Sequence, residues 1–242
     1  MLQIESKLKQ LKLRGMSRCW KALSETKRLY DLSFTDGMEL ILQAEEDERT
    51  NSRFQRLLRS ARFRYRATLD EIDYNENRGL DKNMMSDLAT CEFIKKGESI
   101  LVTGKTGSGK SFITSAIGHH ACSRGFNVGY YNTQKFMAKT KMARVDGSIL
   151  KFFDKISKTQ LLILDDFGLT QLEKQQQYDL MEVIEDRHGK CSTIISSQLP
   201  VECWYDVISE STIADAILDR LVHTSYRIEL NAQESLRKRK NM

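Results

Sequence analysis

Residues 104–111 of the chain read Gly-Lys-Thr-Gly-Ser-Gly-Lys-Ser, two glycines separated by four residues and followed by Lys and Ser. Ser99–Thr103, before this stretch, is typical of a buried strand, and Phe112–Arg124, after it, favours a helix. A glycine-rich turn between a strand and a helix can point its N–H groups at phosphate oxygens, at the positive end of the helix dipole. The stretch therefore predicts a phosphate-binding loop, the alternative being an ordinary Gly/Ser turn with a chance lysine.

Two side chains of this loop have predicted roles in holding a nucleoside triphosphate. Lys110 would reach the β- and γ-phosphates, and the Ser111 hydroxyl would bind a magnesium ion that bridges the same oxygens. We therefore expect ATP and Mg²⁺ as cofactors. The predicted nucleotide-binding residues are Gly104, Lys105, Thr106, Gly107, Ser108, Gly109, Lys110, Ser111 and Phe112.

A second stretch carries two carboxylates at the end of an apolar run. Leu161–Leu164 predict a buried strand of a parallel sheet, and Asp165 and Asp166 follow it directly. Open α/β sheets bind their ligands at the carboxyl ends of their strands. Asp165 would hold the magnesium, while Asp166 would orient or deprotonate the water that attacks the γ-phosphate.

A further strand is predicted over Ser192–Gln198, and its last residues are polar. A hydroxyl or amide there would lie between the phosphate loop and the two aspartates, where it would sense the γ-phosphate or the attacking water. The alternative is a plain transition from strand to loop before Pro200.

Composition restricts the class of protein. The chain has 242 residues, enough for one large domain or two smaller ones, with 40% hydrophobic and 29% charged residues and a net charge of +5. The first residues lack the pattern of a secretory signal and no apolar run is long enough to span a membrane, so we expect a cytoplasmic protein without a membrane partner. Five scattered cysteines argue against a disulfide framework or a zinc site, and a single proline favours long helices.

Helical periodicity dominates the N-terminal third. Leu2–Tyr30 predicts two amphipathic helices with a break near Gly15, and Phe34–Glu48 predicts a third. The acidic run 45–48 at its end is interpreted as a solvated face. A polar stretch, Asp70–Lys82, marks the predicted boundary between an N-terminal helical domain, 1–76, and a nucleotide-binding domain, 77–242.

The segment Thr50–Leu69 predicts a basic amphipathic helix without an acidic residue. Guanidinium groups match phosphate oxygens, so we expect this helix to contact a nucleic-acid backbone. The alternatives are a solvated basic face or a face that pairs with the acidic run upstream. Its arginines are Arg53, Arg56, Arg59, Arg62, Arg64 and Arg66.

Two further basic segments are weaker candidates for DNA contact. The helix predicted over Thr133–Val145 lacks acidic residues, with a solvated surface as an equal alternative. The basic tail 237–240 would add affinity for DNA or for an acidic partner. The candidate residues of the helix are Lys135, Lys139, Lys141 and Arg144.

Other elements complete an alternating pattern of strands and helices. The predicted strands are Val128–Asn132 and Tyr226–Leu230, and the predicted helices are Asn83–Cys91, Ser148–Ser157, Tyr178–His188 and Ile213–Val222.

Six segments along nearly the whole chain carry a resemblance to a known family. They are Leu11–Met16, Leu57–Asp73, Gly104–Ser111, Leu161–Gly168, Ser196–Pro200 and Ile213–His223. In order and spacing they resemble the IstB-like transposition helper ATPases, close relatives of the DnaC helicase loaders within the AAA+ ATPases. The resemblance implies an α/β AAA+ P-loop NTPase core with a five-stranded parallel sheet, preceded by a small all-α domain for oligomerisation and DNA contact. It also implies assembly on double-stranded DNA, bending of that DNA and service to a partner transposase.

The resemblance assigns roles residue by residue. Asp166 stands where most AAA+ proteins have a catalytic glutamate, and since Asp is shorter we expect slow hydrolysis. Ser197 or Gln198 matches the first sensor, and Arg220 matches the arginine finger that completes a neighbour's site. The catalytic residues expected are Lys110, Asp165, Asp166, Ser197, Gln198 and Arg220, and the metal ligands Ser111 and Asp165.

One departure from the wider superfamily concerns the end of the chain. Only a dozen residues follow the strand that ends at Leu230, so we expect no C-terminal helical lid and no second sensor arginine. Nucleotide closure would then depend on a neighbouring copy, and a ring or spiral homo-oligomer is expected. The competing functions are a DnaC-like replicative helicase loader and a small-molecule kinase, the latter without an acceptor pocket that the sequence reveals.

Overall fold

The computed structural model describes residues 2–26, 31–74, 79–223 and 225–231. By packing, the chain divides into two compact units, Met1–Arg56 and Leu57–Met242. The predicted domain boundary at 76/77 lies further along the chain and stays a prediction. Residues 75–78 of the predicted boundary segment and the basic tail 237–240 lie outside the described residues.

The first unit contains α1 (Leu2–Gln10), α2 (Arg14–Glu25) and most of α3 (Phe34–Ala61). The two predicted N-terminal helices are confirmed, but the break between them lies at residues 11–13, and Gly15 belongs to α2. Gly15 serves a different purpose, because a Cβ atom there would lie 2.1 Å from the carbonyl oxygen of Ala44. The absence of a side chain lets α2 and α3 touch backbone to backbone.

The acidic run 45–48 is not a solvated face, and that interpretation was wrong for two of its members. Glu45 is buried, and its Oε2 accepts hydrogen bonds from the N–H groups of Gly15 (2.8 Å) and Met16 (3.2 Å) at the start of α2. Its Oε1 accepts another from Arg49 (2.8 Å), and Glu48 pairs with Arg18. Burial alone would raise the pKa of Glu45, but these hydrogen bonds outweigh burial and lower it. The run therefore caps and anchors α2.

The predicted helices 34–48 and 50–69 are one helix that ends earlier. α3 runs without a break to Ala61, and Arg62 takes a left-handed conformation with φ 58°. The prediction of helix to Leu69 was wrong because the chain leaves the helix to pack on the second unit. A 3₁₀ turn at Leu69–Glu71 follows. We call residues 62–68 the connector.

The second unit is built on one sheet of five parallel strands, in the order β2-β3-β4-β1-β5. This confirms the predicted sheet. Such an order puts β4 between the strand that precedes the phosphate loop and the strand that carries the two aspartates. The strands are β1 (Ser99–Gly104), β2 (Val128–Asn132), β3 (Leu161–Phe167), β4 (Ser192–Ser197) and β5 (Ser225–Leu230).

Helices cover both faces of the sheet, as parallel strands require. The central strands are buried, and Leu101, Leu162 and Ile195 belong to one core cluster that also contains Trp204. The helices of this unit are α4 (Lys82–Ala89), α5 (Glu92–Lys96), α6 (Lys110–Ser123), α7 (Thr133–Val145), α8 (Ile149–Ser157), α9 (Lys174–Arg187), α10 (Trp204–Ile208) and α11 (Ser211–Val222).

The connector is fixed to the second unit by small and aromatic side chains. Ala61, the last residue of α3, and Ala67 within the connector are both buried. The ring of Phe63 meets the ring of Tyr130 edge-on, with centroids 6.0 Å apart. Gly118 on α6 makes room for Phe63, since a Cβ atom there would lie 2.5 Å from its Cε1. Close packing at these points orders the residues between them.

Among the described residues, no helix has the length and apolar character needed to cross a membrane.

The contact between α2 and α3 predicts opposite effects for two glycine substitutions. Gly15→Ala places a Cβ against the backbone of Ala44 and should lower the free energy of unfolding of the first unit by about 1–3 kcal/mol. Gly37→Ala in the first turn of α3 is the matched control, because a Cβ there meets nothing within 4 Å. It should stabilise by up to about 1 kcal/mol through helix propensity. Chemical denaturation followed by circular dichroism measures both, and equal effects would contradict the packing argument.

Candidate functional site

The glycine-rich loop has the backbone conformation that its composition predicts. Gly104, Gly107 and Gly109 have φ of 147°, 84° and 99°, a region that favours glycine. Gly104 is also sterically confined, because a Cβ there would lie 2.6 Å from the carbonyl oxygen of Leu230. α6 begins at Lys110, so its free N–H groups and positive dipole end adjoin the loop.

Lys110 is buried, and its ammonium is held by the loop itself. Nζ donates hydrogen bonds to the carbonyl oxygens of Gly104 (2.6 Å) and Lys105 (3.0 Å). A positive charge is thus fixed at the loop beside the start of α6, where an anionic ligand would be held by both. Ser111 follows in the first turn of α6 and is half-buried.

Asp165 is a buried carboxylate at the end of β3, with donors from both neighbouring strands. Tyr130 of β2 donates to its Oδ2, and Ser196 of β4 donates to its Oδ1. The hydroxyl of Thr133 also donates to the backbone oxygen of Asp165 at 2.9 Å. Burial and the adjacent negative charge of Asp165 raise the pKa of Tyr130, so its phenol stays protonated as a donor.

Asp166 is held in a different way. Its backbone is left-handed, with φ 58°, which is uncommon for a residue with a side chain. Its Oδ2 accepts hydrogen bonds from Asn132 Nδ2 (3.1 Å) and from Arg64 Nη1 (3.0 Å). Its side chain remains 19% exposed, so solvent can reach it.

Arg64 of the connector belongs to this site, although the sequence did not predict it there. It was predicted to contact nucleic acid, whereas its guanidinium lies 3.0 Å from Asp166 and 3.9 Å from Asp165. Partial burial alone would lower the pKa of Arg64, but the charges around it, including Tyr65 and Asp166, leave it raised. No sequence signal could have found the pairing with Asp166, since 102 positions separate the two residues.

The successive polar residues at the end of β4 contact different groups. Ser196, which sequence reasoning did not select, contacts Asp165, and its oxygen also lies 3.4 Å from the N–H of Asp166. The Ser197 hydroxyl donates to the backbone oxygen of Phe167 (2.8 Å) and accepts from the N–H of Leu199. Gln198 accepts a hydrogen bond from Thr106 of the phosphate loop at 2.6 Å. The strand alternation of side chains was the signal that could have separated Ser196 from Ser197.

Arg220 lies on α11 and is held there by its own chain. It donates to the carbonyl oxygen of Ala216 (2.8 Å) and pairs with Glu185 of α9 at 2.5 Å. Within the described part of the chain, no hydrogen bond or ion pair joins Arg220 to the phosphate loop or the two aspartates. The fold of one copy does not bring Arg220 into the site.

The remaining basic candidates have mixed surroundings. On α7, Arg144 is bound to the buried carboxylate of Asp179, Lys139 lies over the ring of Tyr131, and Lys141 pairs with Glu173. Much of the basic charge of α7 therefore serves contacts within the protein. Lys135 of α7 has an exposed side chain. The arginines of α3 and the connector are also exposed, namely Arg53, Arg56, Arg59, Arg62, Arg64 and Arg66.

The donor set fits magnesium and a nucleoside triphosphate. Magnesium prefers oxygen ligands and is commonly held by one or two carboxylates together with substrate phosphates. Asp165 with Ser111 supplies such oxygens, and Lys110 with the start of α6 supplies positive charge for phosphates. Asp166 adds an accessible carboxylate beside them.

The fold resembles those of solved structures of other proteins. It is similar to the crystal structure of the DnaC helicase loader, with a TM-score of 0.54 and 18% identity over 69% of this chain and 97% of that one. It is also similar to AMPPCP-bound DnaA from Aquifex aeolicus, with a TM-score of 0.60 and 19% identity over 75% of this chain and 57% of that one. At these identities the likeness concerns the fold. Together the sheet order, the loop and the paired aspartates define the fold of an AAA+ P-loop protein.

Sequence comparison specifies the family. Residues 6–242 match the family model of IstB-like ATP binding proteins, and the chain belongs to that family. It is 38% identical to an insertion sequence ATP-binding protein of Sinorhizobium fredii, over 96% of this chain and 94% of the relative. It is 37% identical to the ATP-binding protein of insertion sequence IS1162 of Pseudomonas fluorescens, over 81% of this chain and 85% of the relative. The family resemblance seen in the sequence is confirmed.

The different partners of Ser196 and Ser197 predict a separation between two alanine variants. Ser196→Ala removes a donor from buried Asp165 and should reduce ATP turnover and apparent magnesium affinity by about tenfold or more, as loss of such supporting contacts does. Ser197→Ala removes contacts to backbone groups and should lower stability more than the magnesium requirement. Turnover against magnesium concentration and thermal unfolding test the pair. A larger turnover defect in Ser197→Ala would assign the sensor role to Ser197.

Proposed function

We propose that this protein is an ATPase that assembles on target duplex DNA, bends it and supports a partner transposase. The observation that carries the proposal is the site itself: a phosphate loop and a buried, hydroxyl-supported carboxylate at one edge of the sheet, in a chain of the IstB-like family. The relatives named for insertion sequences support the link with transposition.

The proposed chemistry assigns one task to each group. Lys110 and the N–H groups of the loop and of α6 would hold the phosphates, and Ser111 with Asp165 would hold magnesium, which would supply positive charge to the phosphate oxygens. Asp166 orients the attacking water and accepts its proton. Asn132, which donates a hydrogen bond to Asp166, fixes the direction of this carboxylate. Ser196 keeps Asp165 in place.

A second copy of the chain would supply the missing positive charge. Arg220 is about a quarter exposed and is bound to Glu185, so it can exchange this partner for the phosphate of a neighbouring site. An arginine of this kind stabilises charge on the transferring phosphoryl group. ATP would then act between subunits and control their assembly.

Sharing of the site between copies predicts complementation. Lys110→Ala and Arg220→Ala should each abolish ATP turnover, because one lacks the phosphate ligand and the other the arginine offered to its neighbour. Mixing the two variants should restore part of the turnover through interfaces that combine an intact loop with an intact Arg220. As a control, each variant is mixed with itself at the same total concentration. Failure of the mixture to exceed both controls would exclude Arg220 as a residue that acts in trans.

The exposed arginines of α3 and the connector support the proposed contact with DNA. Phosphate contacts release counterions, so the logarithm of the binding constant falls with the logarithm of salt concentration. The triple replacement of Arg56, Arg59 and Arg62 by Ala should weaken duplex binding and reduce this slope by about three, near one for each arginine.

The matched control removes the same charge from another helix. Replacement by Ala of Lys151 and Lys155 of α8, together with Lys158 directly after it, lowers the net charge equally. Duplex binding and its salt slope should then stay near those of the wild type. Fluorescence anisotropy with a labelled duplex measures both triple variants. Equal slopes in the two would show that overall charge, rather than the arginine-rich segment, attracts DNA.

A helicase loader is the second candidate, and the fold likeness to the DnaC loader favours it. A loader would act with a replicative helicase and on single-stranded DNA. The same anisotropy experiment with a single strand of equal length separates the two candidates. Preference for the duplex, and electron microscopy showing a ring or spiral on bent DNA with ATP, would support the transposition helper.

A further inference from the structure

Arg64 contacts both aspartates of the site, although it lies outside the phosphate loop and outside the sheet. Its Nη1 lies 3.0 Å from Oδ2 of Asp166 and 3.9 Å from Oδ2 of Asp165, so one guanidinium faces both carboxylates. Asp165 is completely buried, and its two oxygens already accept hydroxyl donors from Tyr130 and Ser196. The charge on Arg64 therefore offsets the repulsion between two neighbouring negative groups.

The contact is built into the fold. Phe63, the residue before Arg64, packs against Tyr130, and the same Tyr130 donates to Asp165. Gly118 leaves the space that Phe63 occupies, and Ala67 is buried just beyond. An exposed ion pair between mobile side chains contributes little, but here the backbone on both sides of the arginine is anchored.

Arg64 and a bound magnesium ion would both place positive charge beside the same two carboxylates. Asp165 is the proposed metal ligand, and Asp166 must be free to face water for the proposed chemistry. A guanidinium and a divalent cation that both depend on the same carboxylates weaken each other's hold, and this effect is reciprocal.

We propose that Arg64 holds the Asp165 and Asp166 carboxylates in the nucleotide-free protein and competes with magnesium for them, so that its release from them accompanies binding of magnesium–ATP. The proposal rests on the ATPase function proposed above. The connector that carries Arg64 directly follows the arginine-rich helix α3. Release of Arg64 would loosen the connector. Binding of the nucleotide would then change the conformation of the segment proposed to contact DNA.

The competition predicts the sign of a magnesium effect. Binding of a fluorescent ATP analogue is measured against magnesium concentration for the wild type, Arg64→Ala, Arg64→Lys and Arg124→Ala. Arg64→Ala should reach half-maximal binding at a magnesium concentration about fivefold lower than the wild type, a typical size for coupling between two sites. Arg64→Lys, which keeps the charge without the planar fork, should lie between them. Arg124→Ala, an exposed arginine at the end of α6, is the control and should match the wild type.

The opposite sign would overturn the proposal. If Arg64 instead bound the phosphates of ATP, Arg64→Ala would weaken binding of the analogue at every magnesium concentration. An unchanged magnesium requirement would also overturn it. Should Arg64→Ala fail to fold, Arg64→Lys tests the same sign with a smaller shift.

Trypsin provides a readout that does not depend on turnover. In the wild type, magnesium–ATP should speed cleavage after Arg62 and Arg66, whereas Arg64→Ala should be cut there rapidly with or without it. Equal cleavage of the wild type in both conditions would refute release of the connector.

The Lys110→Ala variant distinguishes failure of this inference from failure of the ATPase function on which it rests. If Lys110→Ala binds the analogue as well as the wild type, the ATPase proposal fails; if only the Arg64 variants behave like the wild type, the inference about Arg64 alone fails.

Discussion

The buried charge of Asp165 is the constraint on which the rest of the site depends. A carboxylate without solvent contact is costly unless hydrogen bonds and opposite charge compensate it. In this protein the compensation comes from the strands on both sides of β3, through Tyr130 and Ser196. The strand order therefore does more than form a core: it brings two hydroxyl donors to one carboxylate and leaves β4 to join this group to the phosphate loop.

The same constraint explains why the connector belongs with the nucleotide-binding unit. Tyr130 donates its hydroxyl to Asp165 and packs its ring against Phe63, so one residue links the carboxylate to the segment after α3. Arg64 then adds positive charge at Asp166. The chain leaves the helical path at Arg62 because these contacts, with the burial of Ala67, replace what the helix would have provided. A helix that reached Leu69 could not have placed Phe63 and Arg64 in this way.

Local patterns predicted much of the fold. β2 and α7 have the predicted bounds, because each combines clear periodicity with a polar cap at Asn132. α9 begins four residues earlier than predicted, at Lys174, because its first turn consists of Lys and Gln without an apolar residue to mark it. The short helix α10 was not predicted, since five residues carry too little periodicity. Glu45 was misjudged because an acidic run looks the same whether it faces solvent or another helix's first N–H groups.

The sequence by itself determined the phosphate loop, the two carboxylates that follow the apolar run 161–164, the order of strands and helices and the family, because these depend on residues that are neighbours in the chain. Only the tertiary structure decided which serine supports Asp165, where α3 ends, and that Arg64 meets Asp166. Those contacts join residues far apart in sequence, and their partners are selected by burial and close packing rather than by spacing. An arginine in a basic run carries no mark that it will face a carboxylate 102 positions away.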